Sequence, residues 1–543
     1  MNHKVIRKWL KDNHAYLKRP IILLVIFSSI LSLTAVLFAY LSKLVVDAAQ
    51  FNDRSLFIQA SLFLILLLLF QVLFKTLNSY LNAFYKAKAV KNLKAKIYQN
   101  MIRKRYDVIS HYHTGELMNY LDSDALRISE GIITIIPRFF FLILRFIFAF
   151  ILLLVIDYIF ASVMIIFGIL LLFASKLVRK EMKKRHHLTQ EKEALLRSYT
   201  QESLEHIMLI KSFQAEDYSS YKLEENQFAY MKAYLLKQRL GVIATSLLQG
   251  LFTFGYVVAL IYGAHQIGAN ALTFGSLIAI IQLVEFMQSP FSGLSALMPA
   301  YYGMLASSER LMKFEEGLVE KNVTEMVNDF DEITFKDVDF SYDKQPVLKA
   351  FNTTINPQDF IHIKGVSGIG KTTLFKLLLG LIIPQKGTIA VKTNDQVINI
   401  SEETRSLFTY VPQGLMILSG TIKDNILFNQ TNISEEALIK ATKVAEIYED
   451  IMALPKGFDT VVKERGQGLS EGQLQRLAIA RALIKEAKIL LLDEITSALD
   501  EQTELKVLKN IKALTDKTCL IISHRSLSNE LITKTITLNE GKR

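Results

Sequence analysis

The chain has 543 residues, of which 51% are apolar, and its 63 Lys and Arg against 52 Asp and Glu give a net charge of +11. That length exceeds a single domain, and the one cysteine, Cys519, excludes an internal disulfide framework and suits a buried strand. The positive charge leaves two partner classes, nucleic acid or an anionic membrane surface, and its placement along the chain decides between them.

The amino-terminal stretch MNHKVIRKWLKDNHAYLKRP is basic and runs into an apolar segment. A signal peptide shares that outline. Here the apolar run from Ile21 to about Tyr40 is long enough to span a bilayer and no small-residue cleavage site follows, so a retained transmembrane helix is expected. Trp9, Leu10 and Tyr16 suit an amphipathic interfacial helix just ahead of it. Six stretches of roughly twenty residues reach spanning length, over 21–42, 56–78, 133–155, 157–177, 243–265 and 275–297.

Basic residues alternate between the connecting loops. Lys86, Lys88, Lys91, Lys94, Lys96, Arg103, Lys104 and Arg105 follow the second span, and Lys176, Arg179, Lys180, Lys183, Lys184 and Arg185 follow the fourth. The short loops from Asp47 to Arg54, at Asp157 and from Gly268 to Gly275 carry almost none. The excess of Lys and Arg on one side places both termini, both long loops and the following domain in the cytoplasm of a multi-pass protein of the cytoplasmic membrane. The charge thus reports topology, and the expected surroundings are a lipid bilayer with no nucleic acid. Neither Pro nor Gly occurs between Pro20 and Gly115, or from Ile169 to Leu240. Such runs predict continuous helices, and about thirty residues per leg carry the chain roughly 45 Å beyond the bilayer. The tips of these two hairpins fall near Ser110 to Asp124 and Ile210 to Tyr218.

Two charges interrupt the apolar spans: Arg145 in the third and Glu285 in the sixth. A charge at mid-bilayer costs about 2.5–3.5 kcal/mol or more unless it is paired or faces water. Gln282, Glu285, Ser289 and Ser292 share one helical face. Two readings follow. Either this face, with Arg145, lines a substrate pathway, or Arg145 and Glu285 form a structural pair.

From about Asn322 the pattern changes to short β-rich runs. FIHIKG ends at a glycine-rich turn, GVSGIGKTT (Gly365 to Thr373), followed by the helix-like LFKLLLGL. This strand–loop–helix context is what a phosphate-binding loop requires. Backbone N–H groups around Gly365, Ser367, Gly368, Gly370 and Thr373 would cradle phosphates, Lys371 would reach the β and γ phosphates, and Thr372 would bind Mg²⁺. KILLLDE reads as a buried parallel strand delivering Asp493 to Mg²⁺ through water and Glu494 to an attacking water. In GLSEGQLQR, Ser470 and Gln473 have the spacing of a helix capping box, yet Gly472 falls in the first turn, where glycine is costly by roughly 1 kcal/mol.

The order GVSGIGKTT, VPQ, GLSEGQLQR, ILLLDE, SALD and SHR resembles the nucleotide-binding domain of ABC transporters. Preceded by six spans with projecting hairpins, it is similar to ABC exporters that carry membrane and ATPase regions on one chain. The resemblance covers nearly the whole sequence. It implies a multidomain fold: an all-α six-helix transmembrane domain (1–318) followed by an α/β P-loop nucleotide-binding domain (319–543), with ATP and Mg²⁺ as cofactors. It assigns Tyr342 to stacking on adenine and Gln413 to Mg²⁺ and the membrane domain. Ser470, Gly472 and Gln473 form the signature, Asp500 meets the opposing nucleotide site, and His524 meets the γ-phosphate. Glu464 would lie in the exporter segment that meets the hairpin tips.

In this family the signature of one chain closes over ATP held by another, so the resemblance implies a partner half-transporter. Glu494 and His524 are both present, which fits a homodimer; a heterodimer is the alternative. Three departures stand out. Glu471 occupies the position where glycine is commonest, as in some peptide and bacteriocin exporters, Lys463 replaces a glycine before Glu464, and the sequence stops at NEGKR without the usual terminal helices. The expected activity is ATP-driven export by alternating access, with a peptide such as a bacteriocin as the first substrate class. A hydrophobic drug or a lipid is the alternative. No cysteine-protease domain precedes the spans, so leader cleavage is not expected. A non-transporting ABC ATPase in signalling or repair is the reading of another class, and six spans argue against repair.

Overall fold

The computed structural model describes residues 3–321, 323, 325–342, 345–394, 396–414, 416–463, 466–494, 498–523, 525 and 530–538, without the side chains of residues 3, 167 and 169–180. The chain divides into two compact units, Met1–Gln99 with Thr114–Glu316, and Asn100–His113 with Gly317–Arg543. The expected first hairpin tip, Ser110 to Asp124, is therefore divided, its residues up to His113 falling in the second unit and those from Thr114 in the first.

The first unit is helical. Lys18–Gln50, Arg54–Arg103, Ile136–Ile156, Tyr158–Glu205, Glu216–Gly268 and Phe274–Glu315 are its long helices. By length and composition, five helical segments among the described residues could cross a membrane. The expected span 157–177 falls on the start of Tyr158–Glu205, where the side chains of 167 and 169–177 are not described. At 1.5 Å per residue the 50 residues of Arg54–Arg103 extend about 75 Å, against a hydrocarbon core of about 30 Å. The 48 residues of Tyr158–Glu205 and the 53 of Glu216–Gly268 are comparably long and unbroken, the second continuing through Gly241, Gly250, Gly255 and Gly263.

The returning leg of the first hairpin departs from that expectation. π-helical turns at Tyr120–Asp124 and Gly131–Ile135 interrupt it. One cause is a close approach: a Cβ on Gly131 would lie 2.5 Å from Met304 Sδ. The other is Asp124, a buried carboxylate that accepts from Ser307 Oγ at 2.7 Å and from Arg310 Nε at 3.0 Å and Nη2 at 2.5 Å. Removing the guanidinium strands a charge that water cannot reach. Arg310→Met is therefore expected to destabilise this unit by about 1–3 kcal/mol, the figure being limited by the half-exposed arginine and the remaining Ser307 bond. A lowered thermal midpoint in detergent checks this, and an unchanged midpoint contradicts it.

Only 6% of the apolar window of Arg54–Arg103 is buried, so residues such as Phe63, Leu69 and Leu73 point outward. An apolar surface of that extent belongs in lipid. Inside, Ala39, Ala149, Ala161 and Ala259 are fully buried beside Ile280, Leu283 and Met287. Small residues at these positions let helix backbones approach closely. The amino-terminal helix His3–Asn13 is less interfacial than its sequence suggests. Ile6 and Leu10 are buried, Trp9 Nε1 donates to Glu315 Oε2 at 2.7 Å, and Arg7 donates to Tyr301 at 2.9 Å.

In the second unit eleven strands are described: β1 Glu332–Tyr342, β2 Gln345–Ile355, β3 Phe360–Lys364, β4 Lys386–Thr393, β5 Gln396–Asn399, β6 Phe408–Val411, β7 Gly420–Thr421, β8 Val461–Val462, β9 Ile489–Asp493, β10 Thr518–Ile522 and β11 Lys534–Thr537. An antiparallel sheet has the order β2-β1-β4-β5, a parallel sheet the order β11-β3-β10-β9-β6, and β7 and β8 form a short pair. Strands β9 and β10 are buried along their whole length. Leu490, Leu492, Cys519 and Ile521 pack in one core, while Ile489, Leu491, Leu520 and Ile522 pack in the other. Covering on both faces explains why these strands read as continuous apolar runs.

Candidate nucleotide site

The carboxyl ends of the parallel strands β3, β9 and β6, with β10 between the first two, bring the phosphate loop, the acidic pair and Gln413 to one edge of the sheet. Ligands of open α/β sheets bind at such an edge. After β3 the chain turns through Gly368 (φ +79) and Gly370 (φ +109) into the helix Lys371–Leu378. At Gly370 a Cβ would lie 2.2 Å from Val347 Cγ1, so a side chain is excluded by both conformation and space. Lys371 is 6% exposed and its ammonium donates to the carbonyls of Gly365 at 2.9 Å and Val366 at 3.3 Å. Thr372 and Thr373 occupy the first helical turn, whose free N–H groups favour an anion.

Asp493 ends β9 with 1% exposure. Its Oδ2 accepts from Tyr410 at 3.0 Å, while Oδ1 is buried with no hydrogen-bond partner. Burial pushes the carboxyl above the ordinary carboxylate range; the Thr372 and Tyr410 hydroxyls pull the other way, Glu494 reinforces the rise and Lys371 opposes it. The same burial, with the Asp493 charge, raises the Tyr410 phenol. The next residue, Glu494, has φ +52, a region uncommon for a side chain of this size. Its N–H donates to Ile522 at 3.0 Å, and its Oε2 accepts from Gln413 Nε2 at 2.5 Å.

Among the other expected site residues, Tyr342 is 44% exposed at the end of β1, edge-on to Phe340. Ser470 caps the helix Glu471–Ile484 in a complete capping box with Gln473. The Gln473 amide is engaged at both ends within its own chain, accepting from Ser470 N at 2.9 Å and donating to Asp450 at 3.0 Å. At Gly472 a Cβ would lie 3.2 Å from the Ala498 carbonyl, a tight contact within the chain itself. Asp500 caps the helix Glu501–Lys512, and the Thr503 hydroxyl together with the Thr503 N–H holds the carboxyl below the usual range. His524 and Glu464 lie outside the described residues.

In the first unit, Arg145 and Glu285 form no ion pair among the described residues. The Arg145 guanidinium lies over the Phe286 ring at 4.0 Å, with its Nε buried and unpartnered. Glu285 is exposed, and Gln282 and Ser289 are half-buried on the same helix.

Several residues near the site carry no motif of their own. Tyr410 holds Asp493. Asp450 holds Gln473 and also accepts from Arg476 at 2.8 Å. Arg525 donates to Leu499 at 3.0 Å and to the buried Glu504 at 2.7 Å. At the edge of the unit, Arg405 grips Glu320 through two 3.0 Å bonds, and Glu320 N donates to Arg103 at 2.8 Å. Tyr106, from the hairpin tip, lies against Lys376.

A buried lysine at a helix start, an orphaned carboxylate oxygen and a neighbouring glutamate form a set suited to phosphoryl transfer to water. Family profiles agree. One described as "ABC transporter transmembrane region" matches residues 21–291, and one described as "ABC transporter" matches residues 348–497. A Rickettsia bellii protein named for export as an ATP-binding/permease protein is 30% identical over 554 residues, covering 100% of this chain and 95% of that one. A Lactococcus lactis protein named "Lactococcin transport/processing ATP-binding protein LcnC-like" is 32% identical over 368 residues, 66% of this chain and 51% of that one. In fold, the chain matches a solved bacterial Atm1-family ABC exporter with ATP bound, at a TM-score of 0.79 and 22% identity over 97% of this chain and 94% of that one. The chain belongs to the ABC transporters: it is a multi-pass membrane protein of exporter type whose transmembrane region is fused to an ATP-hydrolysing domain.

Proposed function

We propose that two copies of this chain form a half-transporter dimer that closes over two Mg²⁺–ATP molecules and exports a peptide such as a bacteriocin across the cytoplasmic membrane. The convergence of Lys371, Thr372, Gln413, Asp493 and Glu494 at one sheet edge carries this reading. Lys371 and the N–H groups of the phosphate loop hold the phosphates, and the exposed Tyr342 ring stacks on adenine. Thr372, Gln413 and the unpartnered Oδ1 of Asp493 would hold a Mg²⁺ ion, which would supply positive charge to the transferred phosphoryl group. Glu494 orients and polarises the attacking water, and His524 meets the γ-phosphate. Ser470, Gly472, Gln473 and Asp500 complete the site on the opposing chain, Gly472 in the first turn of a helix whose amino-terminal amides favour an anion.

Residues 1–318 serve as the membrane part and 319–543 as the ATPase, with both termini in the cytoplasm, as the Lys and Arg of the long loops favour. Gln282, Glu285 and Ser289, with Arg145 at the same depth, line the pathway. The unpaired geometry of Arg145 and the exposure of Glu285 support this over a structural ion pair. The lactococcin relative and Glu471 in the signature support a peptide substrate. Inside-out vesicles containing the full chain are expected to accumulate a labelled bacteriocin-type peptide only with hydrolysable ATP, and the peptide is expected to stimulate ATPase activity. Stimulation by lipids or hydrophobic dyes with none by peptides would overturn the substrate class.

A further inference from the structure

Strand β3 is buried from Phe360 to Ile363 and apolar there except at His362, which lies with 1% exposure between Ile361 and Ile363. A buried imidazole costs free energy unless it is hydrogen-bonded, and an aliphatic side chain would fill this position without that cost. The ring makes one bond: Nε2 lies 3.2 Å from the carbonyl oxygen of Ser523, while Nδ1 is buried with no partner. Burial holds the ring below its ordinary pKa and hence neutral, so the carbonyl acceptor assigns the single N–H to Nε2. Register explains the reach. His362 pairs with Ile521 on β10, which puts Ser523 just beyond the end of the shared ladder.

Ser523 is the residue whose peptide bond leads to His524. Its hydroxyl accepts from Arg525 N at 3.1 Å, and Arg525 is itself tied to Leu499 and Glu504. The segment is thus held from two sides, by the strand that leads into the phosphate loop and by the turn that carries Asp500. We propose that His362 is a positioning residue: its Nε2–H fixes the Ser523 carbonyl and thereby the peptide that presents His524 to the γ-phosphate. This rests on the role given to His524 above.

The substitutions Asn and Gln separate a hydrogen bond from mere packing. Gln places an amide nitrogen where Nε2 stands, whereas the shorter Asn does not reach Ser523. In the full chain in nanodiscs, His362→Asn is expected to lower kcat for ATP about five- to tenfold, with KM for ATP within about twofold of wild type. His362→Gln is expected to restore most of the loss. On a His524→Ala background, residual turnover is expected to fall no further on adding His362→Asn. ATP-induced thermal stabilisation of each variant reports whether its nucleotide domain is folded, and His362→Leu, which fills the core without a donor, is expected to behave as Asn does. Equal losses for Gln and Asn, or a full further loss on the His524→Ala background, would overturn the positioning role. Wild-type turnover by His524→Ala alone would instead overturn the nucleotide-site reading on which it rests.

Discussion

Replacing Glu494 by Gln is expected to leave ATP binding intact and to lower hydrolysis by about 10²–10⁴-fold, the range for loss of a positioned general base. The prediction follows from where the residue stands. Asp493 and Lys371, which meet the ion and the phosphates, are separate groups and keep their own partners in Tyr410 and the phosphate-loop carbonyls. Glu494 adds one function to them, a carboxylate able to take a proton. Its backbone is fixed by the bond to Ile522 and by a left-handed conformation that the surrounding strands must hold. Glutamine has nearly the same shape, and its amide oxygen still accepts from Gln413. The variant therefore removes basicity and little else. Phosphate release and nucleotide affinity, measured on the same preparation, check the expectation; wild-type turnover would contradict the assignment of Glu494.

Much of this site was legible because its residues are consecutive. GVSGIGKTT, ILLLDE and GLSEGQLQR each carry their chemistry within a few positions, and a buried parallel strand announces itself by an unbroken apolar run. Residues whose role depends on register were not legible. His362, Tyr410 and Arg525 meet Ser523, Asp493 and Glu504 only once parallel strands and their following helices are set side by side, and no local spacing encodes that. Gly472 was assigned to the signature by resemblance, and a Cβ there would also come within 3.2 Å of the Ala498 carbonyl of its own chain. Asp500 was assigned by resemblance alone, while its carboxylate also caps a helix. In the membrane half, the runs without Pro and Gly are helical along the legs of both hairpins, while Glu216–Gly268 continues unbroken through Gly241, Gly250, Gly255 and Gly263, which the sequence pattern did not anticipate. The π-helical turns near Asp124 and Gly131 come from contacts with a helix more than 170 residues later, which no local spacing encodes.

The second large effect concerns Lys371. This buried ammonium is a point charge on a helix start, and phosphate oxygens would replace its two carbonyl acceptors. Each charge-assisted bond lost in Lys371→Ala is worth about 1.5–3 kcal/mol, so affinity for ATP is expected to fall by about ten- to a hundredfold or more, and turnover with it. Ser470→Arg attacks the other half of the site. It removes a helix cap worth about 1 kcal/mol and puts bulk and charge where the signature meets phosphate.

The two variants together test whether each site is shared between chains. With each chain carrying a different affinity tag, dimers containing one Lys371→Ala chain and one Ser470→Arg chain are isolated and their ATPase activity is compared with that of each variant alone. If the phosphate loop of one chain works with the signature of the other, both damaged halves fall in one site, the second site is intact, and activity is expected to return toward about half of wild type in a two-fold dimer. Mixed dimers as inactive as either variant alone would contradict a nucleotide site completed by the opposing chain.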